Sequence, residues 1–292
     1  MNSDKLSIYD YLPDVLLEEE YAKTESISEE QLAKFFKERI YQSTEYALLE
    51  SLYRLPYLTK KNMERFDDYR LKDKKYAGYD NTIRQLEKDG CLRRFVYDDV
   101  RLYRLHDGAR AYLKEKLDAK EIHKIDIPSE HDAAAVLESA SLAQWHLSVM
   151  LGGGTKKSYF GEEVILRKSR LKVPSYLEIE KGSIKYRVLS FAVPKVGVHM
   201  ETFLEQIINV KESLCKKELS FKREIFLVVL VCSSTYDMLQ LASIIEGLSS
   251  MKKLPVYFVA DPNTAFSKGI DLLYVAEKDG NDQVLNTISV RQ

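Results

Sequence analysis

The sequence contains few cysteines and histidines, the residues that form disulfide frameworks and zinc sites. Three cysteines occur in 292 residues, Cys91, Cys215 and Cys232, and no two of them form a C-x-x-C pair. This argues against both a disulfide-stabilised fold and a zinc ribbon. The five histidines show no H-x-x-x-H or H-x-x-E-H spacing, which argues against a histidine-based metal site. We therefore expect no metal and no other cofactor.

Long apolar runs are also missing. The longest nearly uncharged one, residues 225–232, is far shorter than the roughly 20 residues that cross a bilayer. The first residues are polar and lack the pattern of a secretory signal. With 45% hydrophobic and 30% charged residues, the chain can still bury a sizeable core. We expect a cytoplasmic globular protein of one large or two ordinary domains, without membrane contact.

The chain has no large excess of either charge, because its formal net charge is −1, but the charges are unevenly distributed. Residues 1–27 hold seven acids and two bases, residues 28–125 hold 22 bases and 18 acids, and residues 126–292 hold 20 of each. The modest excess of bases in the second segment favours a surface that faces DNA. The acidic first segment is either an arm that docks on a partner or another copy, or a strap that anchors a domain.

The second segment has the element order of a winged helix-turn-helix. Ser28 and Gln31 fit a capping box, and apolar residues at helical spacing follow them. Residues 91–97 and 100–105 are rich in β-branched and aromatic residues and are separated by two aspartates, which predicts a hairpin. Helices are predicted over 29–41, 45–55, 60–66, 79–90 and 109–117.

The third segment predicts an α/β domain with a mixed sheet. The uniformly apolar run 225–232 is typical of a strand that is covered on both faces. Helices between the later strands imply parallel crossovers. The predicted order is helix 131–150, strands 164–166, 173–179 and 186–193, helix 201–214, strand 225–232, helix 238–251 and strand 256–260.

The second segment resembles the winged-helix domain of the replication-relaxation family, whose members are encoded near plasmid and conjugative-element genes. The resemblance is carried by residues 46–52 (YALLESL), 57–59 (YLT), 83–92 (IRQLEKDGCL) and 103–108 (YRLHDG). It implies that the third helix lies in the major groove of double-stranded DNA and that the wing approaches phosphates. The candidate DNA contacts are Lys60, Lys61, Asn81, Thr82, Arg84, Gln85, Lys88, Arg93, Arg94, Arg101 and Arg104.

A second interpretation of the same segment is a module for protein interaction or dimerisation. Acidic residues alternate with the candidate bases in the third helix and in the wing, and they would repel phosphate. These acids are Asp80, Glu87, Asp89, Asp98 and Asp99.

The third segment resembles the C-terminal part of the same family, which is similar to the restriction-endonuclease-like fold. The match rests on residues 173–177 (VPSYL), 186–193, 203–207 (FLEQI) and 225–235. In active members of that fold, an Asp after a Pro and an acid-x-Lys triplet bind a divalent cation and orient water. Here Ser175 follows Pro174, and the second strand has Ser190, Phe191 and Ala192 instead of the triplet. The resemblance therefore implies the scaffold of a nuclease without its active site.

A migrated metal site is the alternative. Glu178 and Glu180 share one face of the predicted strand, and Lys181, Lys185 or Lys195 comes near them from a neighbouring strand in this alternative. We favour the interpretation that both glutamates lie on the solvent-facing side of an edge strand, where charge discourages aggregation.

Together these patterns predict an acidic arm (1–27), a winged-helix domain (28–125) and a nuclease-like α/β domain that lacks the catalytic acids (126–292). We expect a non-catalytic, sequence-specific double-stranded DNA-binding protein of a mobile element that acts in replication, transfer or transcriptional control. We expect it to be a homodimer that assembles through its C-terminal domain, with a replication or transfer protein as a further partner. A metal-dependent nuclease and a protein-interaction adaptor are the alternatives.

Overall fold

A computed structural model of the chain divides it into two compact units. Its described residues up to Ala143 belong to the first unit and those from Gln144 onward to the second. The structure describes residues 18–19, 25–71, 78–97, 100–117, 127–129, 131–166, 169–194, 200–215, 224–232, 235–247, 256–259, 269–271, 273–279 and 282–288.

The first unit consists of helices and a small antiparallel sheet. Ser28 caps the first helix, because its Oγ accepts a hydrogen bond from the backbone N–H of Gln31 at 3.2 Å. The second helix ends at the residue before Leu55 and Pro56, since proline disfavours helical backbone in the residue before it. The helices are α1 (Glu29–Lys37), α2 (Ser43–Arg54), α3 (Lys60–Leu71), α4 (Tyr79–Lys88) and α5 (Asp107–Lys116). The strands are β1 (Glu18–Glu19), β2 (Leu92–Tyr97) and β3 (Val100–Leu105).

The hairpin of β2 and β3 is extended on both sides. On the β2 side, β1 pairs antiparallel to it, with Glu19 opposite Phe95. On the β3 side, Leu58 and Tyr103 exchange two backbone hydrogen bonds of 3.1 and 2.8 Å in an antiparallel bridge. The loop between α2 and α3 is thereby tied to the hairpin.

The chain that precedes α1 lies against two glycines. The N–H of Ile27 donates to the carbonyl of Gly90 at 3.0 Å, and the N–H of Gly108 donates to Ser26 Oγ at 3.1 Å. A Cβ atom at Gly108 would lie 1.8 Å from the carbonyl oxygen of Ile27, and one at Gly90 would lie 2.1 Å from that of Glu25. Residues 25–28 are therefore an anchoring strap, which only glycine permits at these two contacts. Residues 1–17 and 20–24 of the predicted arm lie outside the described residues.

The second unit is built on a seven-stranded mixed sheet, which confirms the predicted mixed sheet of the C-terminal part. The strand order is β10-β9-β8-β7-β6-β5-β4, in which β6, β7 and β8 run parallel and the other neighbours are antiparallel. Helix α6 (Ala133–Leu151) precedes the sheet and crosses the division between the units. The other elements are β4 (Thr155–Leu166), β5 (Ser169–Lys181), β6 (Ile184–Ala192), α7 (Met200–Cys215), β7 (Glu224–Val231), α8 (Thr235–Gly247), β8 (Val256–Val259), β9 (Leu273–Asp279) and β10 (Asp282–Ile288).

The main core of this unit lies between the sheet and helices α7 and α8. The strands contribute buried side chains such as Tyr176, Phe191 and Leu230. Successive strand residues point to opposite faces, so Ser175 and Ser190 face away from this core. Within the described residues, no helix is both long and apolar enough to cross a membrane. The core members from α7 and α8 are Phe203, Ile207, Val210, Leu214, Met238, Leu241, Ala242 and Ile245.

Several boundaries differ from the sequence-based expectation. Helix α1 ends at Lys37 instead of near residue 41, because Arg39 adopts a left-handed φ of 59°. Strand β4 begins at Thr155, and β9 and β10 were not predicted. The predicted boundary after residue 125 falls in 118–126, outside the described residues, so the three-part domain division stays a prediction.

Candidate nucleic-acid interface

Helix α4 separates its candidate residues into an exposed and a buried set. Asn81, Arg84, Gln85 and Lys88 are exposed, while Tyr79, Ile83 and Leu86 on the opposite side are buried. Thr82 is only 6% exposed and lies with the buried set. Four of the five helix candidates therefore share a solvent-facing surface, and Thr82 does not belong to it.

Two acidic residues, Asp80 and Asp89, lie at the two ends of α4, and each is hydrogen-bonded to neighbouring side chains. Gln85 Nε2 donates to both carboxylate oxygens of Asp89 at 2.9 Å, and the hydroxyl of Tyr41 donates to Asp89 Oδ2 at 2.5 Å. At the other end of the helix, the hydrogen bond from Lys60 and the nearby charge of Arg84 lower the pKa of Asp80. Asp80 is therefore a carboxylate near neutral pH, and its charge is offset by these two bases.

The two lysines that begin α3 differ in their surroundings. Lys60 Nζ pairs with Asp80 and lies 3.5 Å from Glu64 Oε1. Lys61 is exposed. Lys60 therefore connects α3 to the start of α4, while Lys61 is the lysine of the pair that faces solvent.

On one face of the hairpin, two arginines stand over aromatic rings. Arg93 is directly opposite Arg104 across the two strands. The guanidinium of Arg93 lies 5.2 Å from the ring centre of Phe95, and that of Arg104 lies 5.9 Å from the ring centre of Tyr57. Arg104 Nη1 also donates to the Tyr57 hydroxyl at 3.4 Å. Both arginines are half-buried, and each guanidinium contacts an aromatic ring of the same unit.

On the other face, Arg94 is a structural residue. Its Nε lies 3.2 Å from Glu87 Oε1, and the two side chains are 12% and 15% exposed. This ion pair fastens α4 to β2. Arg101, on the neighbouring strand, is exposed. The exposed candidates are therefore Lys61, Asn81, Arg84, Gln85, Lys88 and Arg101, and the more enclosed ones are Lys60, Thr82, Arg93, Arg94 and Arg104.

In the second unit, serines lie at the strand positions where the family resemblance implies acids. Ser175 on β5 is directly opposite Ser190 on β6, and both are fully buried. Trp145 Nε1 donates to Ser190 Oγ at 2.9 Å. His146 Nδ1 lies 2.8 Å from Ser175 Oγ. These hydroxyls are neutral and are hydrogen-bonded to side chains of α6, so they do not provide the carboxylates that a catalytic divalent cation needs.

The imidazole of His146 bridges two strands. Its Nε2 lies 2.7 Å from Ser158 Oγ on β4, while its Nδ1 faces Ser175 on β5. Burial lowers the pKa of His146 to about 3, so the ring is neutral and has one donor and one acceptor for the two hydroxyls. Nothing in the sequence indicated these hydrogen bonds, because the partners are 12 and 29 residues away in the chain.

The position predicted for Glu178 is wrong. Strand β5 is an interior strand, since β4 pairs along its outer side, and Glu178 is only 6% exposed. The Tyr176 hydroxyl donates to Glu178 Oε1 at 2.7 Å, and Arg187 Nη1 lies 3.6 Å from the same oxygen. A solvent-facing edge at β5 would require β4 to be absent. The sequence predicted a strand only over 164–166, whereas β4 begins at Thr155 and covers the outer side of β5.

Glu180 is exposed, as predicted, and has its own base. Lys156 Nζ lies 3.4 Å from Glu180 Oε2. Lys185 is directly opposite Glu180 on β6, while Lys181 pairs with Asp271 and Lys195 lies outside the described residues. Within the part of the chain that the structure describes, no three His, Cys, Asp or Glu side chains come together as a metal-binding group.

Comparisons with known proteins give little similarity. No protein-family model matches the chain, and no curated protein matches it. Among solved structures, the chain is similar to the restriction endonuclease FokI, with a TM-score of 0.31, 12% identity, and coverage of 77% of this chain and 43% of that one. For FokI bound to DNA the TM-score is 0.30, with 12% identity and coverage of 74% and 42%. The chain thus spans less than half of either FokI chain, and similarity at this level carries no conclusion about its activity.

Proposed function

We propose that the chain binds double-stranded DNA through its first unit, as a winged helix-turn-helix with α4 in the major groove. The observation that carries the proposal is the exposed surface of α4, where Asn81, Arg84, Gln85 and Lys88 lie together. Asn, Gln and Arg side chains can hydrogen-bond base edges, and Lys and Arg pair with phosphates. The Leu58–Tyr103 bridge supports the proposal, since it ties the segment between α2 and α3 to the hairpin beside β3.

Within this proposal, the enclosed candidates hold the unit together and the exposed ones contact DNA. Arg94 positions α4 through Glu87, and Lys60 joins α3 to Asp80. Lys61 and Arg101 are the phosphate contacts that flank α4. Each phosphate contact adds to the salt dependence of binding, because counterions are released from the DNA.

The second unit has a non-catalytic role in this proposal and assembles the protein into a dimer that presents two copies of α4 to DNA. The buried, hydrogen-bonded Ser175 and Ser190 support the non-catalytic role. As the family resemblance implies, the protein serves a mobile element in replication, transfer or transcriptional control, with a replication or transfer protein as a partner.

The DNA part is tested by fluorescence anisotropy of a labelled random duplex that is titrated with protein at several salt concentrations. We expect native binding to weaken steeply with salt. Arg84→Ala combined with Lys88→Ala should lower the slope of log affinity against log salt by about two. The matched control is Lys34→Ala combined with Lys37→Ala, which removes the same charge from exposed positions on α1. Flat anisotropy of the native protein at low salt, or equal losses in both variants, would contradict the proposed interface.

The non-catalytic part is tested by incubating supercoiled plasmid with the protein and Mg²⁺ or Mn²⁺. We expect the plasmid to remain supercoiled. Nicking that disappears in Glu180→Ala or Glu178→Gln would favour a metal-dependent nuclease instead. Native protein that binds neither duplex nor single-stranded DNA would favour a protein-interaction adaptor.

A further inference from the structure

Strand β4 forms one edge of the seven-stranded sheet. It pairs with β5 on one side along its whole length, and within the described residues no strand pairs with its other side. With 12 residues, it is about twice as long as a typical strand. A free edge presents a row of backbone N–H and C=O groups, and charged residues along it discourage pairing with other chains. The charges on β4 therefore decide which chain can pair with it.

The charges of β4 are divided between its two halves. Lys156 and Lys157 lie in the first half of the strand, and Glu162 and Glu163 lie in the second half. A parallel copy of the same strand in register would place like charges side by side, which is destabilising. An antiparallel copy would place bases opposite acids. A second β4 in antiparallel orientation is therefore complementary in charge to the first.

We propose that β4 pairs antiparallel with β4 of a second copy of this chain, around a two-fold axis at Phe160. In such a contact Phe160 meets its own copy, and each residue on one side of it meets the residue equally far along the other side. Axes at Phe160 and at Gly161 each pair all but one residue of the strand, but only the axis at Phe160 places a base opposite an acid. The pairs are then Thr155 with Ile165, Lys156 with Val164, Lys157 with Glu163, Ser158 with Glu162 and Tyr159 with Gly161.

Lys157 is placed to take part in this contact. Its side chain is 56% exposed, and its Nζ lies 3.9 Å from Glu178 Oε2 of the same chain. An ammonium group has three donors, so Lys157 can keep this contact and also pair with Glu163 of the second copy. Lys156, which is 57% exposed, lies 3.4 Å from Glu180 Oε2 and meets no base in the pairing.

The strength of the pairing comes from backbone hydrogen bonds, and the charges select its orientation. Because each Lys157–Glu163 pair occurs twice around the axis, one substitution changes two contacts. A single pair of strands buries less area than a standard interface, so the dimer should dissociate on dilution.

Pairing through β4 rests on the dimer proposed above and names the surface that forms it. It is measured without DNA, by sedimentation equilibrium of the full chain over a wide concentration range. We expect the native protein to pass from dimer to monomer as it is diluted. Lys157→Glu and Glu163→Lys should each weaken self-association by roughly tenfold, because each places like charges opposite each other at two positions. An equimolar mixture of the two variants should associate again, since opposite charges then meet at both positions.

The matched control is Glu277→Lys, which makes the same change of charge as Glu163→Lys at an exposed position of β9. It should leave the dimer unchanged, and circular dichroism should show all variants folded as the native protein is. A dimer that both β4 variants retain, or a mixture that associates no better than either variant, would overturn the pairing through β4.

Hydrogen exchange of the native protein locates the contact. Backbone N–H groups of β4 should exchange more slowly at concentrations where the protein is a dimer, while those of β10, at the opposite edge of the sheet, should not change. A dimer without slower exchange in β4 would refute the pairing through β4 alone. A protein that is monomeric at every concentration would also refute the proposed dimer. Duplex titration in parallel tests the DNA part separately, since a monomer that binds DNA would leave that part standing.

Discussion

At the scale of single residues, the burial of His146 has a direct energetic consequence. The imidazole is fully buried, and burial lowers its pKa from 6.5 to about 3. Between these pH values the unfolded chain binds a proton at this residue and the folded chain does not. With respect to this group, the free energy of unfolding is therefore highest above pH 6.5 and falls as the pH drops toward 3.

We expect this group to remove about 2 kcal/mol from the free energy of unfolding between pH 7 and pH 5. In the His146→Gln variant, the glutamine amide can still donate and accept hydrogen bonds, but it does not titrate. Between pH 7 and pH 5, the free energy of unfolding of the variant should therefore fall by about 2 kcal/mol less than that of the native protein. Urea unfolding of both proteins at pH 5, 6 and 7 measures the difference, in which the other titrating groups cancel. If the free energies of unfolding of the two proteins changed equally with pH, the imidazole of His146 would not be neutral and buried in the folded protein.

At the scale of elements, the strap of residues 25–28 depends on Gly108. An alanine there would suit helix α5, but its methyl group would overlap the carbonyl of Ile27. We expect Gly108→Ala to lower the free energy of unfolding by roughly 1–3 kcal/mol and to speed proteolysis before α1. Thermal unfolding and limited proteolysis measure these effects.

The truncated chain that begins at Glu29 provides the control for this prediction. Without the strap there is no overlap, so the same substitution should become neutral or stabilising by up to about 1 kcal/mol, since alanine is the better helix former. A loss of stability of the same size in both backgrounds would show that the strap is not the cause.

The attachment of α4 to the hairpin gives a second prediction at this scale. We expect Arg94→Ala to lower the free energy of unfolding by about 1–3 kcal/mol, because it leaves Glu87 in an enclosed position without this ion pair. Arg101→Ala, at an exposed position of the same hairpin, should stay within about 0.5 kcal/mol of the native protein. Urea unfolding compares the two, and equal losses would contradict the assigned roles.

Elements with local signals were predictable and those with distant partners were not. The cap at Ser28 and the hairpin of β2 and β3 depend on neighbouring residues, and both are present. Strands β9 and β10 are joined by the Gly280-Asn281 pair, a hairpin turn signal that could have revealed them. The two-residue β1 has too little sequence for a pattern.

The same distinction holds for the candidate site. Helical spacing placed Asn81, Arg84 and Lys88 together, and this grouping needs only the period of the helix. The burial of Thr82 and the pairing of Arg94 depend on how α4 meets the hairpin. The enclosure of Glu178 depends on β4 in the same way. No local pattern encodes such contacts.

At the scale of the whole molecule, two compact units with separate cores are expected to unfold with separate stabilities. A substitution that weakens only the first unit, such as Gly108→Ala, should therefore shift part of the helical signal in circular dichroism to lower denaturant concentration. The rest of that signal, from the second unit, should keep its native midpoint. One shared transition that moves as a whole would show that the units unfold together.

The fluorescence of the single tryptophan in the chain reports on the second unit alone. Trp145 is fully buried and hydrogen-bonded to Ser190, so its emission should be blue-shifted in the folded protein and move to the red only when the α6 side of the sheet opens. No other residue adds to this signal when it is excited near the red edge of protein absorption. The protein thus carries an intrinsic optical reporter of its C-terminal half, and labelling is not needed to follow that half through denaturation or DNA binding.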